Sequence, residues 1–224
     1  MKKNYLDIID PIHDFIRVYD HELKIIDDPI FQRLRRIRQL SGAHLTYPAA
    51  QHTRFEHSLG VMHIASQAGQ ALHEKGILKS DDIEILRLAG LLHDIGHGPF
   101  SHLFEEVIQQ KKFSHEDFGK EIILKSEIGD NLSKNGYDKK FITKIAFGDS
   151  KLQFLNEIVS GALSADMMDY LLRDGYFTGA EHAQIDHKRI TQSLDVHQKK
   201  LALEKSALYS FESMMHSRYQ MFKA

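Results

Sequence analysis

One stretch near the middle of the chain concentrates the groups able to do chemistry: Leu91-Leu92-His93-Asp94-Ile95-Gly96-His97-Gly98-Pro99-Phe100-Ser101-His102. Histidines, an aspartate, glycines and a proline follow directly on aliphatic residues. An imidazole beside a carboxylate at the end of a buried helix is costly unless something pairs with both. A metal ion suits both, so the remaining chain is read for further ligands.

Periodicity supplies two. His57, Val61, Ala65, Ala68 and Leu72 step by four, four, three and four, which puts His57 on the buried stripe of a helix predicted from Phe55 to His73. A lone histidine on such a stripe is more often a core residue than a ligand, and His57 rises above that only with partners. Val159, Leu163, Asp166 and Tyr170 repeat the pattern in a helix predicted over 153–174, so Asp166 lies on an apolar face where an ionised carboxylate needs a cation or several donors. Asp169 and Asp174 occupy neighbouring rows, with Arg173 as a structural partner for one of them.

Imidazole and carboxylate donors at His57, His93, Asp94 and Asp166 suit one divalent transition metal: iron, manganese, zinc, cobalt or nickel. The chain has no cysteine, which excludes a thiolate site and a disulfide framework. Such an ion lowers the pKa of a bound water from about 15.7 toward 7 and polarises a phosphoryl oxygen. Arg54, His97, His102 and His115, with Lys188 or Arg189, supply the cations and donors that phosphoryl chemistry needs. His102 or His115, each near an acid (Glu105, Glu116), suits a general acid. These residues point to a metal-dependent phosphohydrolase.

The elements that must position them read as mainly helical. Tyr5–Ile9 and Phe15–Tyr19 are β-like around Asp10-Pro11. Asp28 caps and Pro29 opens a helix carrying Phe31, Leu34 and Ile37, with Arg33 and Arg36 on a solvated face. Gly76 ends the helix of His57, Ser80-Asp81-Asp82 caps the next, and the latter is apolar all round from Ile83 to about Asp94, hence central. Gly96 and Gly98 turn the backbone before a helix over 101–110, and Ser114 caps another. Residues 125–151 read as loops with short helices, Gly175–Gly179 as a turn, Lys199–Leu203 as β-like. The final helical pattern reaches Ala224 without a breaker, as expected of a chain cut within an element. His21, His73 and His197 read as surface residues.

The chain is 224 residues, 42% hydrophobic and 27% charged, which is globular and large enough for one sizeable core. A net charge of −2 gives no global attraction to nucleic acid or anionic membrane. With no apolar run of spanning length and no signal-like start, it reads as cytoplasmic, without a membrane partner and with nucleic acid not its main partner. Phosphate-binding glycine loops, a helical His-Glu-x-x-His pair and a nucleophile elbow are absent.

His57, then His93-Asp94, then Asp166 resembles the H…HD…D signature of the HD-domain phosphohydrolase superfamily. The context is longer than the dipeptide: Phe31-Gln32-Arg33-Leu34-Arg35, Arg38-Gln39-Leu40, Arg54-Phe55-Glu56-His57-Ser58-Leu59-Gly60, Ala89 through Phe104, Ser114-His115-Glu116 and Asp166-Met167-Met168-Asp169-Tyr170. It is similar to the branch of the SAM-and-HD-domain deoxynucleoside triphosphate (dNTP) triphosphohydrolase and its microbial relatives, from about Asp10 to Tyr219.

The resemblance implies a single all-α HD domain over 1–224, with a short N-terminal β-hairpin and a second small hairpin near the C-terminus, cut short relative to its relatives. It implies His57, His93, Asp94 and Asp166 as metal ligands. Arg54, His97, His102 and His115 would face the triphosphate, with His102 the catalytic acid and Glu105 or Glu116 in support. Gln39 and Leu40 would lie against the deoxyribose, Tyr170 would reject a 2′-hydroxyl, and Asp174 would bind the 3′ side. Magnesium would accompany the triphosphate, and attack at the α-phosphorus would give a deoxynucleoside and intact triphosphate. A nucleotide activator would bind at Asp27, Gln32 and Arg35 between subunits of a dimer or tetramer. Ile9 stands where relatives have a regulatory asparagine, and Met167 where the vertebrate enzyme has a phosphate-binding lysine. A same-class alternative is an HD phosphatase or phosphodiesterase acting on other nucleotides. An alternative of another class is a nucleotide-sensing module without turnover.

Overall fold

The computed structural model describes residues 4–101, 105–106, 113–180 and 185–223. The fold is mainly α, with two small antiparallel hairpins. In the first, β1 (Tyr5–Asp10) pairs with β2 (Asp14–Tyr19) in a register running from Tyr5–Tyr19 to Asp10–Asp14. Its turn is closed by the Asp10 carboxylate, whose Oδ1 accepts from Ile12 and His13 backbone N–H groups at 2.9 and 3.0 Å. Two short helices follow, α1 (Asp20–Ile26) and α2 (Pro29–Gln32), the latter capped by Asp28 as its sequence predicts.

The basic segment is not one α-helix. After Gln32 the backbone tightens into a 3₁₀ turn over Arg33–Arg36. Phe31, Leu34 and Ile37 are spaced by threes, and all three are buried. A spacing of three keeps one face inward in a 3₁₀ helix but drifts in an α-helix. Arg33 is not on a solvated face either. Its guanidinium donates to the carbonyls of His97 (2.5 Å) and Ile95, bracing the loop behind His93-Asp94.

The core is built on α3 (Arg54–Glu74), which packs most extensively on α4 (Ser80–Leu92) and then on α9 (Ala165–Thr178). A capping box starts α3: Thr53 accepts from Phe55 N–H, and Glu56 takes the Thr53 N–H at 2.9 Å. Gly76, at φ +73°, follows its end. Lys79, not Ser80, is the N-cap of α4, and Asp82 reaches back to its N–H at 2.8 Å. Leu86 to Leu92 are all buried, so the helix carrying His93 at its end is central.

Helix α5 (His115–Lys125), capped by Ser114, is followed by α6 (Glu127–Lys134) and α7 (Lys139–Ala146), the short helices expected within 125–151. The single helix predicted over 153–174 is two, α8 (Gln153–Val159) and α9. Ser160 is extended, and Ser164 caps α9 by accepting from Met167 N–H at 3.1 Å. The serine and glycine signals of Ser160-Gly161 outweighed the apolar spacing. Helix α9 runs through Gly175 and stops at Gly179, φ +74°. The chain closes with α10 (His187–Gln192), the hairpin β3 (Leu194–His197) and β4 (Lys200–Leu203), and α11 (Leu208–Met221).

Candidate metal centre

His57 projects from the first turns of α3, His93 from the C-cap of α4, and Asp166 from the first turn of α9. Because α9 begins at Ala165, Asp166 is at a helix N-terminus, where the helix dipole favours a negative charge. It is therefore not in mid-helix on an apolar face, and its side chain is 31% exposed where the two imidazoles are buried. One ligand atom from each of His57, His93 and Asp166 lies within 4.8 Å of the others, a grouping able to hold a metal ion. Asp166 Oδ1 is 3.1 Å from His57 Nε2 and 3.8 Å from His93 Nε2.

Each ring is fixed from behind. His57 Nδ1 is 2.8 Å from Asp169 Oδ2, and His93 Nδ1 is 2.8 Å from the Gly90 carbonyl. Both Nε2 atoms are buried, and neither has a hydrogen-bond partner among the described residues. Buried polar atoms are nearly always satisfied, so two unpartnered nitrogens aimed at one carboxylate fit a divalent ion. Burial opposes charge on His57, yet Asp166, Asp169 and Asp94 outweigh it and lift its pKa to about 10. The position favours positive charge.

Asp94 lies directly beside this group. Its Oδ1 is 3.4 Å from His93 Nε2 and 3.3 Å from His97 Nε2, and its Oδ2 is 3.8 Å from His57 Nε2. The Arg54 guanidinium takes the same Oδ2. Burial opposes ionisation of Asp94, but Arg54, with His93 and His97, holds its carboxyl well below the usual range.

The loop after Asp94 departs from expectation in how it turns. Gly96 does not take a positive φ; a Cβ there would collide with the His115 carbonyl and with Gly119, so the glycine permits a close backbone approach. The left-handed residues are Phe100 (φ 60°) and Ser101 (φ 33°). The buried Ser101 hydroxyl accepts from Arg54 Nε and Nη2 at 3.1 and 2.7 Å, a role its sequence context did not signal. His97 is buried and stacks on His115, ring centroids 4.0 Å apart, with burial pushing the His97 pKa down. His115 Nδ1 pairs with Glu105 at 2.7 Å, whereas Glu116 is exposed. Arg54, Asp94, His97, Ser101 and His115 thus form one wall beside the His57–His93–Asp166 group. His102 lies outside the described residues.

Next to the centre, Leu40, Tyr170 and Asp174 line a cavity of about 280 Å³ with Tyr47 and Arg218. His52, overlooked as a functional residue because it lies in an irregular connector, holds Asp174 Oδ1 at 2.7 Å and stacks on Phe177. Gln39 is adjacent in the chain, donating its backbone N–H to His52 at 3.1 Å, and its buried Oε1 has no partner among the described residues. Met167 is part of the hydrophobic core. Lys188 and Arg189 are not at the centre: Lys188 lines a separate cleft with Tyr19 and His63, and Arg189 donates to the Ser206 carbonyl at 2.8 Å. Of the three residues expected to read an activator, Arg35 donates to Gln32 at 2.8 Å and lies over the Phe55 ring. Gln32 in turn holds the Ile26 carbonyl, one residue from the exposed Asp27.

The HD domain family matches residues 54–173, which contain every element of this centre. An uncharacterized protein of Methanocaldococcus jannaschii is 41% identical over 221 residues, 97% of this chain and 45% of that protein. The deoxynucleoside triphosphate triphosphohydrolase SAMHD1 homolog of Dictyostelium discoideum is 33% identical over 239 residues, 99% of this chain and 46% of that one. Among solved structures, a phosphohydrolase from Bacteroides thetaiotaomicron superposes with a TM-score of 0.86 at 37% identity, covering 98% of this chain and 53% of the other. The chain thus spans about half the length of the curated relatives it matches. With the helical fold, the His-Asp pair at the end of α4 and these similarities together, the chain belongs to the HD-domain phosphohydrolase superfamily.

Proposed function

We propose that the protein hydrolyses deoxynucleoside triphosphates to deoxynucleoside and triphosphate. The observation that carries the metal-dependent part is the pair of buried, unpartnered Nε2 atoms of His57 and His93 facing Asp166. These three residues would hold one divalent transition metal, with Asp94 the fourth ligand. When bound, that ion supplies Lewis-acid activation of water and of a phosphoryl oxygen.

The remaining work falls to the chain's own side chains. Arg54 is buried and pre-oriented by Asp94 and Ser101, so its charge is available to a phosphate without reorganisation. His97 and His115, stacked face to face, add donors along the same wall. Glu105 holds His115 Nδ1 and leaves Nε2 to face substrate. His102 remains the proposed acid for the departing 5′-oxygen. Leu40 and Tyr170 would pack on the deoxyribose, and Gln39 and Asp174 would bind its 3′-hydroxyl, with His52 fixing the Asp174 carboxylate. The similarity to the Dictyostelium homolog supports the substrate class. Magnesium with the triphosphate, a nucleotide activator at Asp27, Gln32 and Arg35, a homo-oligomer and a cytoplasmic location are proposals that rest on the resemblance. Among the described residues no helix is long and apolar enough to cross a membrane.

Incubating the manganese-loaded protein with each dNTP tests the reading. Release of inorganic triphosphate is expected. Release of monophosphate or pyrophosphate instead would replace it with an HD phosphatase or phosphodiesterase. Absence of bound metal and of turnover would favour a sensing module.

A further inference from the structure

The two imidazoles are fixed by different means. His93 leans on Gly90 in its own helix, a local contact. His57 leans on Asp169 of α9, and Asp169 is itself held from a distance. Its Oδ1 is 2.6 Å from His13 Nε2, in the turn of the N-terminal hairpin. Arg173 Nε and Nη2 bridge its two oxygens at 2.9 and 3.0 Å, and Arg173 Nη1 reaches Asp10 Oδ2 in that same turn at 2.8 Å. Asp169, Arg173 and His57 are fully buried. Room for this arrangement depends on Gly60, one turn beyond His57: a Cβ there would overlap the Asp169 carboxylate and lie 2.7 Å from Arg173 Nη2.

We propose that Asp169 is a positioning residue of the metal centre: it fixes the His57 ring through Nδ1, and the hairpin turn of Asp10 and His13 fixes Asp169. This rests on the metal reading above. A carboxylate on the far nitrogen of a metal-binding histidine sets which nitrogen is free and where it points, and losing one costs about 10–100-fold in metal affinity. Here the orientation of a ligand on α3 is set, through Asp169, by a turn 156 residues away from that carboxylate. The contact also explains why Asp169 lies so near the centre without contributing to the His57–His93–Asp166 group.

Two variants test it, each followed by zinc affinity from chelator competition, by the His57 Nδ1–H proton resonance of metal-free protein, and by circular dichroism. Asp169→Asn keeps the shape and removes the charge. It is expected to stay helical, to bind zinc about 10–100-fold more weakly, and to lose the downfield, slowly exchanging Nδ1–H signal of the wild type. His13→Gln leaves Asp169 and Arg173 in place and is expected to weaken zinc binding several-fold. A folded Asp169→Asn protein with wild-type affinity and an unchanged His57 signal would overturn the positioning role. Should Asp169→Asn fail to fold, wild-type zinc affinity in His13→Gln overturns it instead. A wild-type protein that shows the bonded Nδ1–H but binds neither zinc nor manganese would overturn the metal reading itself.

Discussion

Two buried polar clusters meet on opposite sides of the His57 ring, and they differ in completeness. On the Nδ1 side, Asp10, Asp169 and Arg173 satisfy one another: the guanidinium makes contacts to both carboxylates. On the Nε2 side, His57 and His93 present nitrogens with no hydrogen-bond partner among the described residues, toward a carboxylate that is partly exposed. The carboxylates and guanidinium of the first cluster are satisfied by the fold, and the buried Nδ1 of His13 beside them has no partner among the described residues. The second is a grouping that could hold the proposed metal ion, and this contrast distinguishes a self-satisfied network from a candidate binding site built of the same residue types.

The contrast breaks most visibly at Arg173. Arg173→Met leaves two buried carboxylates uncompensated, so urea unfolding should show a loss of about 3–5 kcal/mol. On the incomplete side the response should be reversed. His93→Ala or Asp166→Ala should remove bound metal, measured by elemental analysis, and reduce turnover by more than about 100-fold while the protein stays folded. Turnover surviving in both would refute the ligand assignment.

A third test uses histidines near the first cluster. Burial pushes His63 and His187 down to about 4, helped by the neighbouring His13. Their folded values lie below the ordinary 6.5, so the unfolded chain takes up protons first as pH falls. Stability contributed by their neutral forms is present above pH 6.5 and is lost as pH falls toward 4. Denaturant midpoints at pH 7, 5.5 and 4.5 should decline in that order, and His63→Gln should flatten the decline. The smallest effect is expected at the wall. Ser101→Ala removes two hydrogen bonds from Arg54 but leaves Asp94, so KM for nucleotide should rise about 3–10-fold with metal content unchanged.

Most elements were legible because their signals are local. Pro29 after Asp28, Ser114 before an acidic turn and Gly76 after Leu72 act within one helical turn, and the structure places caps or stops there. The failures have physical causes. Apolar spacing continued across Ser160–Ser164, where an extended Ser160 ended one helix and the Ser164 side chain began another. Gly96 read as a turn residue because sequence does not show the His115 backbone that approaches it. Arg33 read as solvated because its acceptors lie more than sixty residues away.

The site divides the same way. Residue type and periodicity singled out His57, His93 and Asp94, since a polar group on a buried helix is visible in one dimension, whereas Asp166 was singled out by an apolar spacing that the structure breaks at Ser160–Ser164. The sequence by itself determined the donor types, the absence of thiolates and the helices that carry the ligands. Only the tertiary structure decided which nitrogen of each histidine is free, that Asp94 is shared with Arg54, and that Asp169 stands behind His57. Apart from the local contact of His93 with Gly90, those choices depend on contacts across 40 to 156 residues of chain, and hydrogen-bond direction is set by whichever group arrives there.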